Sequence, residues 1–282
     1  MSLMRSTALF LTLAALAAAQ PRPTVFLITD AEGVGGVCRQ DQVEPSNREM
    51  QQLLTAEINA AVQGFLDGGA GEVIVWDGHD GSQTLSTLTI HPRAKLVMGA
   101  LGASMLLERR FSAVAIVGQH AKANIRGGIM AHSYSSLGIQ TMKLNGKAVG
   151  EIDIIAAMAG HFGTPVIMTS GDKAAVEEMR EIVPEAEFAA VKEGLGRYAC
   201  VSESAESAQR MIRAAAQRSV AKIASIKPYR VPGPCTLEIE YTTRNSLPID
   251  SELRTAAEVV DDRTIRFRGK DVLEVWQRYR TR

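Results

Sequence analysis

The sequence predicts an α/β fold with a mostly parallel central sheet flanked by helices, followed by a smaller C-terminal α+β subdomain. Short apolar, β-branched runs alternate with helical patterns through most of the chain, as in parallel sheets with crossover helices. With 282 residues, the chain is long enough to bury a large core. Beyond a Pro-rich stretch over 227–234 the alternation is lost. We therefore predict an α/β domain over 20–228 and a small subdomain over 229–282.

Buried runs and helical patterns alternate through the first part of the chain. We predict strands over 25–28, 73–76, 113–117 and 165–168, and helices over 44–66, 98–110 and 151–161. Pro45 and Ser46 favour the start of the first helix, and Gly68 and Gly69 favour its end. An Asn-Gly pair at 145–146 separates two apolar runs and predicts a hairpin.

The later part of the chain has a weaker pattern. Amphipathic spacing predicts helices over 174–183 and 204–226. Strict alternation of apolar and polar residues predicts a strand over 236–241, and a second strand follows over 264–267. A final helix is expected from Lys270.

The first 19 residues have the pattern of a secretory signal peptide. Arg5 precedes an apolar run over 7–16 and the small residues Ala17, Ala18 and Ala19. The run is shorter than the roughly 20 residues that cross a bilayer. We therefore expect cleavage after Ala19 and an exported, soluble protein, periplasmic or extracellular, without a membrane anchor. The alternative is an ordinary N-terminal helix, which the lack of a polar face disfavours.

Charge and cysteine content exclude several classes of protein. Basic and acidic residues balance at 31 each, so neither nucleic acid nor an anionic membrane is an expected partner. Cys38, Cys200 and Cys235 are widely spaced and form no CxxC pair, which indicates neither a disulfide framework nor a thiolate zinc site. We expect three small, buried thiols, although one pair could oxidise after export.

Metal-capable side chains follow three of the predicted strands. Asp30 and Glu32 come just after the first strand, His79 after the second and His120 after the third. In open α/β sheets ligands bind beyond the carboxyl ends of the strands. Glu151 adds a carboxylate at the start of a helix, where its charge would also favour the helix dipole. Each residue alone is weak evidence, but their shared location predicts a metal site.

Three carboxylates and two imidazoles favour zinc, with manganese or cobalt possible, over calcium or a structural zinc site. The number of ligands implies two ions, with one carboxylate bridging them. Two such ions can share a water, lower its pKa and stabilise a hydrolytic transition state. The sequence therefore indicates a hydrolase with a two-metal site.

Other motifs give weaker or negative signals. His132 lies in a Gly-rich loop and could return to the same pocket as a proton donor or oxyanion stabiliser, or could simply bond to the backbone. His91 and His161 are expected to be structural. The glycines of EGVGG lack the third glycine of a dinucleotide site, since Cys38 stands there. No GxSxG motif supports a serine hydrolase.

Five short motifs in order, TDAEG, DGHDG, GQHA, MAHS and VGE, resemble those of the DppA-type D-aminopeptidases, the M55 metallopeptidases. The resemblance covers nearly the whole mature chain and makes 20–228 a metallopeptidase domain. It implies two zinc ions, with Asp30 bridging, Glu32 and His79 on one ion, and His120 and Glu151 on the other. It also implies short peptide substrates cleaved at their N-terminal residue, and a homodecamer with sites facing an inner channel. His132 would be the catalytic histidine.

Two alternatives remain open at this point. Metal ligands do not encode the chirality of the neighbouring residue, so the same scaffold suits an L-aminopeptidase or another amidase. The chain could also be an exported protein that binds a peptide or metal without turnover.

Overall fold

A seven-stranded sheet forms the centre of the fold. The computed structural model describes residues 21–99, 107–244 and 257–280. The strand order is β3-β2-β1-β4-β7-β8-β9, and every neighbouring pair is parallel except β8 with β9. The strands are β1 (Thr24–Thr29), β2 (Glu72–Asp77), β3 (Ala94–Val97), β4 (Ala113–Gln119), β7 (Val166–Asp172), β8 (Glu187–Gly196) and β9 (Ala199–Ser202).

Strands β4 and β7, at the middle of this sheet, are buried at every position. Uninterrupted apolar runs are typical of parallel strands covered on both faces. The mostly parallel α/β sheet predicted from the sequence is confirmed.

Five α-helices lie in the described part of the chain: α1 (Arg48–Asp67), α2 (Glu151–His161), α3 (Lys173–Ile182), α4 (Ala205–Val220) and α5 (Val272–Arg280). Helix α1 packs against α4, while α3 and α4 pack against β7 and β8. At the α1–α4 contact a Cβ on Gly64 would lie 2.3 Å from the carbonyl oxygen of Arg213. Only glycine permits such a close helix approach.

A second, antiparallel sheet has the order β11-β12-β10-β5-β6. Its strands are β5 (Ile139–Leu144), β6 (Lys147–Val149), β10 (Cys235–Tyr241), β11 (Glu258–Val259) and β12 (Thr264–Gly269). The predicted Asn-Gly hairpin connects β5 to β6, and Leu237 of β10 pairs with Leu144 of β5. Helix α5 packs on β12, β10 and α2. This sheet thus joins the C-terminal strands to a hairpin from the middle of the chain; the boundary near 228 stays a prediction.

Several element boundaries differ from the predictions. Helix α1 begins at Arg48 because the side chain of Asn47 accepts a hydrogen bond from the Met50 amide, at 3.0 Å. Helix α4 ends at Val220, six residues before the predicted end. The sequence pattern does not predict strands β3, β8, β9 and β11, since they are short or rich in charged and glycine residues. The predicted helix over 98–110 and the signal peptide over 1–19 fall largely or wholly outside the described residues.

Two of the three cysteines are bonded to each other, which is the oxidised alternative to three buried thiols. Cys38 and Cys200 form a disulfide with their Cα atoms 6.2 Å apart, and Cys235 is a buried free thiol. The two partners are 162 residues apart in sequence. Their pairing becomes evident only once β9 lies beside the loop after β1, which no spacing rule predicts.

Within the described ranges, no helix combines the length and apolar character that a membrane span requires.

Candidate metal centre

Three adjacent parallel strands deliver candidate ligands to one edge of the main sheet. Strands β2, β1 and β4 are neighbours in that order. Asp30 follows the last residue of β1, His79 lies two residues beyond β2, and His120 follows β4 directly. Because the carboxyl ends of parallel strands meet at one edge, these side chains converge.

The loop after β1 is fixed to the end of β4 by backbone contacts. The amide of Asp30 donates to the carbonyl of Val117 at 2.9 Å, and that of Gly33 donates to Gly118 at 2.7 Å. Gly118 has a φ of +79°, and a Cβ there would lie 2.0 Å from the carbonyl oxygen of Asp30. Glycine is therefore required where the two ligand-bearing segments touch.

The loop after β2 is organised by a buried carboxylate. Asp77 accepts hydrogen bonds from the amides of Thr84 and Leu85 at 2.7 and 2.9 Å. This turn places His79 inward, where its Nε2 lies 2.7 Å from the carbonyl oxygen of Val43. Since a carbonyl only accepts, Nε2 carries the proton and donates. With the ring neutral, the lone pair of Nδ1 faces the site.

His120 and His132 are oriented in the same way. The Nδ1 of His120 lies 2.9 Å from the carbonyl oxygen of Ala121, and the Nδ1 of His132 lies 2.9 Å from that of Met130. Both Nδ1 atoms therefore donate, which leaves each Nε2 free. Together with His79, three imidazoles use one nitrogen on the backbone and turn the other into the site, as histidine metal ligands do.

Asp30 lies between two of the imidazoles. Its Oδ1 is 3.1 Å from the Nδ1 of His79, and its Oδ2 is 3.4 Å from the Nε2 of His120. Glu32 Oε2 lies 3.2 Å from the Nδ1 of His79. Glu151 Oε1 lies 3.7 Å from the Nε2 of His120. The structure thus brings all five predicted ligands together.

The donor set fits a divalent metal. Glu151 Oε2 is a buried oxygen without a hydrogen-bond partner among the described residues, and the buried Glu32 Oε2 has only its 3.2 Å contact with His79. Unpartnered buried carboxylate oxygens are costly, and a cation would supply the missing partner. Two groups of side chains hold ligand atoms within 4.8 Å of one another: Asp30, Glu32 and His120, and His120, His132 and Glu151. His132 therefore also has the position of a possible ligand.

Burial and mutual charge shift the pKa values of this cluster. Burial, with the nearby Glu32 charge, raises the pKa of Asp30 to about 6. Burial opposes ionisation of Glu32 too, but hydrogen bonding to His79 and the charges of the two imidazoles hold its pKa well below the usual value. Burial would lower the pKa of His79, but hydrogen bonds to both carboxylates raise it to about 12. For His120 the carboxylate charges likewise outweigh burial and raise the pKa to about 9.

The pKa values of His132 and Glu151 shift in other directions than those of His120 and Glu32. Burial, aided by the positive charge of His120, lowers the pKa of His132. Burial raises the pKa of Glu151, although both imidazoles oppose this shift. His132 is thus neutral near pH 7, when His79 and His120 are protonated in the metal-free chain.

A buried lysine fixes the loop that carries Glu32. Lys192 lies on β8 and donates from its Nζ to the carbonyl oxygens of Glu32, Val34 and Val37. It is 3% exposed. The Gly35 amide, on the same loop, donates a hydrogen bond at 2.8 Å to the carboxylate of Glu57 on α1. The position of Glu32 therefore depends on a cation from a distant strand.

The ligand cluster opens into a cavity of about 330 Å³. Its polar side carries the five ligands with His132 and Asp80. Its apolar wall is made of the side chains Ile28, Trp76, Leu107, Tyr134, Ile154, Ile155, Met158 and Trp276. Arg280, at the end of α5, also lines it. The arrangement suits hydrolysis of a small molecule that has both apolar and charged parts.

Sequence patterns missed several residues of this site. Lys192 and Trp276 carry no metal-ligand or catalytic pattern, and Trp276 and Arg280 are more than a hundred residues from the ligands in sequence. Tyr134, whose amide donates to Glu151 Oε1 at 2.6 Å, follows the MAHS motif directly. That position next to His132 was the one available signal.

Comparisons with known proteins agree with this geometry. A model of the family Peptidase M55, described as D-aminopeptidase, matches residues 24–281. A D-aminopeptidase of Bacillus subtilis (strain 168) is 28% identical over 265 residues, covering 90% of this chain and 94% of the relative. A solved structure described as the Zn-dependent D-aminopeptidase DppA from Bacillus subtilis, a self-compartmentalizing protease, superposes with a TM-score of 0.81 at 26% identity. It covers 91% of this chain and 95% of that chain.

Proposed function

The chain belongs to the M55 peptidase family of D-aminopeptidases, and from this premise we propose that it is a zinc-dependent aminopeptidase. It removes N-terminal residues, with a preference for D-residues, from short peptides. The observation that carries the proposal is the convergence of three carboxylates and three backbone-oriented imidazoles beside a cavity of about 330 Å³. Membership in the family and the zinc dependence of the structural relative supply the chemistry.

Two zinc ions are proposed, with Asp30 as the bridging ligand. Support comes from its two oxygens, which face His79 and His120 separately at 3.1 and 3.4 Å. Glu32 and His79 would complete one ion, and His120 and Glu151 the other. Bound there, the ions would lower the pKa of a water and polarise the scissile carbonyl. Manganese or cobalt would suit the same ligands.

His132 is proposed as the catalytic histidine. Its Nε2 is not bonded to the backbone and lies 4.0 Å from Glu151 Oε1, on the cavity side of the cluster. Burial keeps its pKa low, so the neutral ring can accept or share a proton near pH 7. It would stabilise the oxyanion or pass a proton to the leaving amine.

The chirality of the substrate is tested with matched amides. Hydrolysis of D-alanine and L-alanine p-nitroanilides by the mature protein is compared before chelation, after chelation and after zinc is restored. Zinc-dependent release that favours the D-substrate supports the proposal. Preference for the L-substrate would favour an L-aminopeptidase or other amidase, and tight peptide or metal binding without any hydrolysis would favour a non-catalytic binding protein.

Export is proposed for the mature chain, as a periplasmic or extracellular protein without a membrane anchor. Besides the pattern of residues 1–19, the Cys38–Cys200 disulfide supports it, because disulfides persist mainly in oxidising compartments. Expression with the natural N-terminus should give a mature species that starts at Gln20, detectable by N-terminal sequencing in the exported fraction. A full-length cytoplasmic species would contradict export.

Self-association into a homodecamer is also proposed. The support is the similarity to a relative described as self-compartmentalizing. Enclosed sites would admit short peptides and exclude folded proteins. Light scattering of the mature protein tests it, and a stable monomer would count against it.

A further inference from the structure

Side chains of opposite charge line the substrate cavity. Asp80 and the ligand carboxylates line it together with Arg280, the sole lysine or arginine among the described residues there. Arg280 is the last residue of α5 and is exposed. A cation in the last turn favours the helix dipole, but that alone does not explain why it faces a cavity.

Arg280 also differs from the other arginines around it. Nearby on the second sheet and α5, Arg263 pairs with Glu240 at 2.9 Å and Arg278 pairs with Glu274 at 2.7 Å. Arg280 makes no ion pair or hydrogen bond to any residue in the described ranges. With respect to the described residues, its five donors are therefore open to a ligand.

A short chain of contacts relates Arg280 to the metal centre. The amide of Tyr134 donates to Glu151 Oε1 at 2.6 Å, and the Tyr134 ring packs on Trp276 with centroids 4.8 Å apart. Arg280 comes one helical turn after Trp276, a rise of about 6 Å. Its positive charge acts on the Tyr134 phenol. Arg280 and the ligands line the same cavity of about 330 Å³, so a peptide small enough to occupy it can contact both.

We propose that Arg280 binds the C-terminal carboxylate of the substrate and so makes the site selective for di- and tripeptides with a free C-terminus. The inference rests on the proposed aminopeptidase function. A guanidinium binds a carboxylate through two parallel hydrogen bonds. The zinc ions would neutralise the ligand carboxylates, so the carboxylate that attracts the α-ammonium of the same peptide is that of Asp80, and the cavity carries one charge for each end of a zwitterion. An amide lacks this carboxylate, and a longer peptide would place it beyond the cavity of about 330 Å³.

The test compares D-alanyl-alanine with D-alanyl-alaninamide, which differ only in the C-terminal charge. For the zinc-loaded wild-type protein we expect a KM about tenfold lower for the acid, which corresponds to about 1.4 kcal/mol, with similar kcat. Arg280→Gln should raise KM for the acid about tenfold and leave the amide within about twofold. Arg278→Gln, on the same helix, is the matched control and should change neither substrate.

Equal KM values for acid and amide in the wild-type protein would overturn the role of Arg280 while leaving the aminopeptidase function intact. An equal loss on both substrates in Arg280→Gln would do the same. If neither peptide is hydrolysed, the proposed function fails. Calorimetric binding of the two peptides to wild-type and Arg280→Gln protein then decides the carboxylate contact independently: tighter binding of the acid that is lost in the variant supports it, and equal binding refutes it.

Discussion

The imidazole ring of His132 stacks on that of His120, with the ring centroids 4.0 Å apart and the planes 15° from parallel. The pKa values of the two rings shift in opposite directions: that of His120 rises to about 9, and that of His132 falls. The stack therefore places a neutral imidazole beside a proposed zinc ligand. Two roles for His132 are compatible with this contact: it carries a proton, or it is a further zinc ligand.

Replacement of His132 by alanine distinguishes these roles. If it carries a proton, kcat should fall at least about 100-fold, while the zinc content per chain stays that of the wild-type protein. Mass spectrometry of the metal and the rate of D-alanine p-nitroanilide hydrolysis measure the two effects. His161→Ala, at the far end of α2, is the control and should retain both. Loss of zinc in His132→Ala would instead make His132 a ligand.

Zinc affinity should fall steeply as the pH falls. In the metal-free chain the pKa values of His79 and His120 are about 12 and about 9, so both rings are protonated at pH 7. Zinc must displace both protons, and the apparent affinity falls about tenfold per proton for each pH unit below 9. Calorimetry at pH 7 in buffers of different ionisation enthalpy should show about two protons released. Release of none would contradict the arrangement.

Lys192 should control metal binding from a distance. Lys192→Met leaves three loop carbonyl oxygens without their donor, so the loop of Glu32 loosens and zinc affinity falls roughly 10- to 100-fold. Stability should fall by about 2–4 kcal/mol, measured by urea unfolding of the chelated protein. Lys173→Met, an exposed lysine paired with Glu193 at 2.8 Å, should change neither quantity. Equal zinc affinity in Lys192→Met and wild type would refute this positioning role.

The disulfide predicts the number of reactive thiols. Thiol titration of the denatured, unreduced mature protein should give one thiol per chain, that of Cys235, and three after reduction. Three thiols before reduction would show that Cys38 and Cys200 are not bonded in the isolated protein. Reduction should also destabilise the fold, because the bond connects segments 162 residues apart.

The sequence predicts the ligands better than the residues that hold them. Asp30, His79 and His120 stand out because each follows a buried strand, and parallel strands meet at one edge. Lys192 and Arg280 have no such signal, since their partners are brought near only by the packing of distant strands and helices. The Cys38–Cys200 bond was missed for the same reason. The sequence pattern therefore locates the metal ligands. The residues that hold the ligands in place and line the cavity are defined by tertiary contacts.

Asp30 is proposed to hold two zinc ions at a hydrolytic site. The direct test measures zinc per chain and D-alanine p-nitroanilide hydrolysis on the same samples of wild-type and Asp30→Ala protein, chelated and then titrated with zinc. The wild-type protein should regain activity as it takes up two zinc ions per chain. Asp30→Ala should regain neither zinc nor activity, with circular dichroism confirming its fold. An active, zinc-replete Asp30→Ala protein would show that Asp30 does not hold the zinc ions.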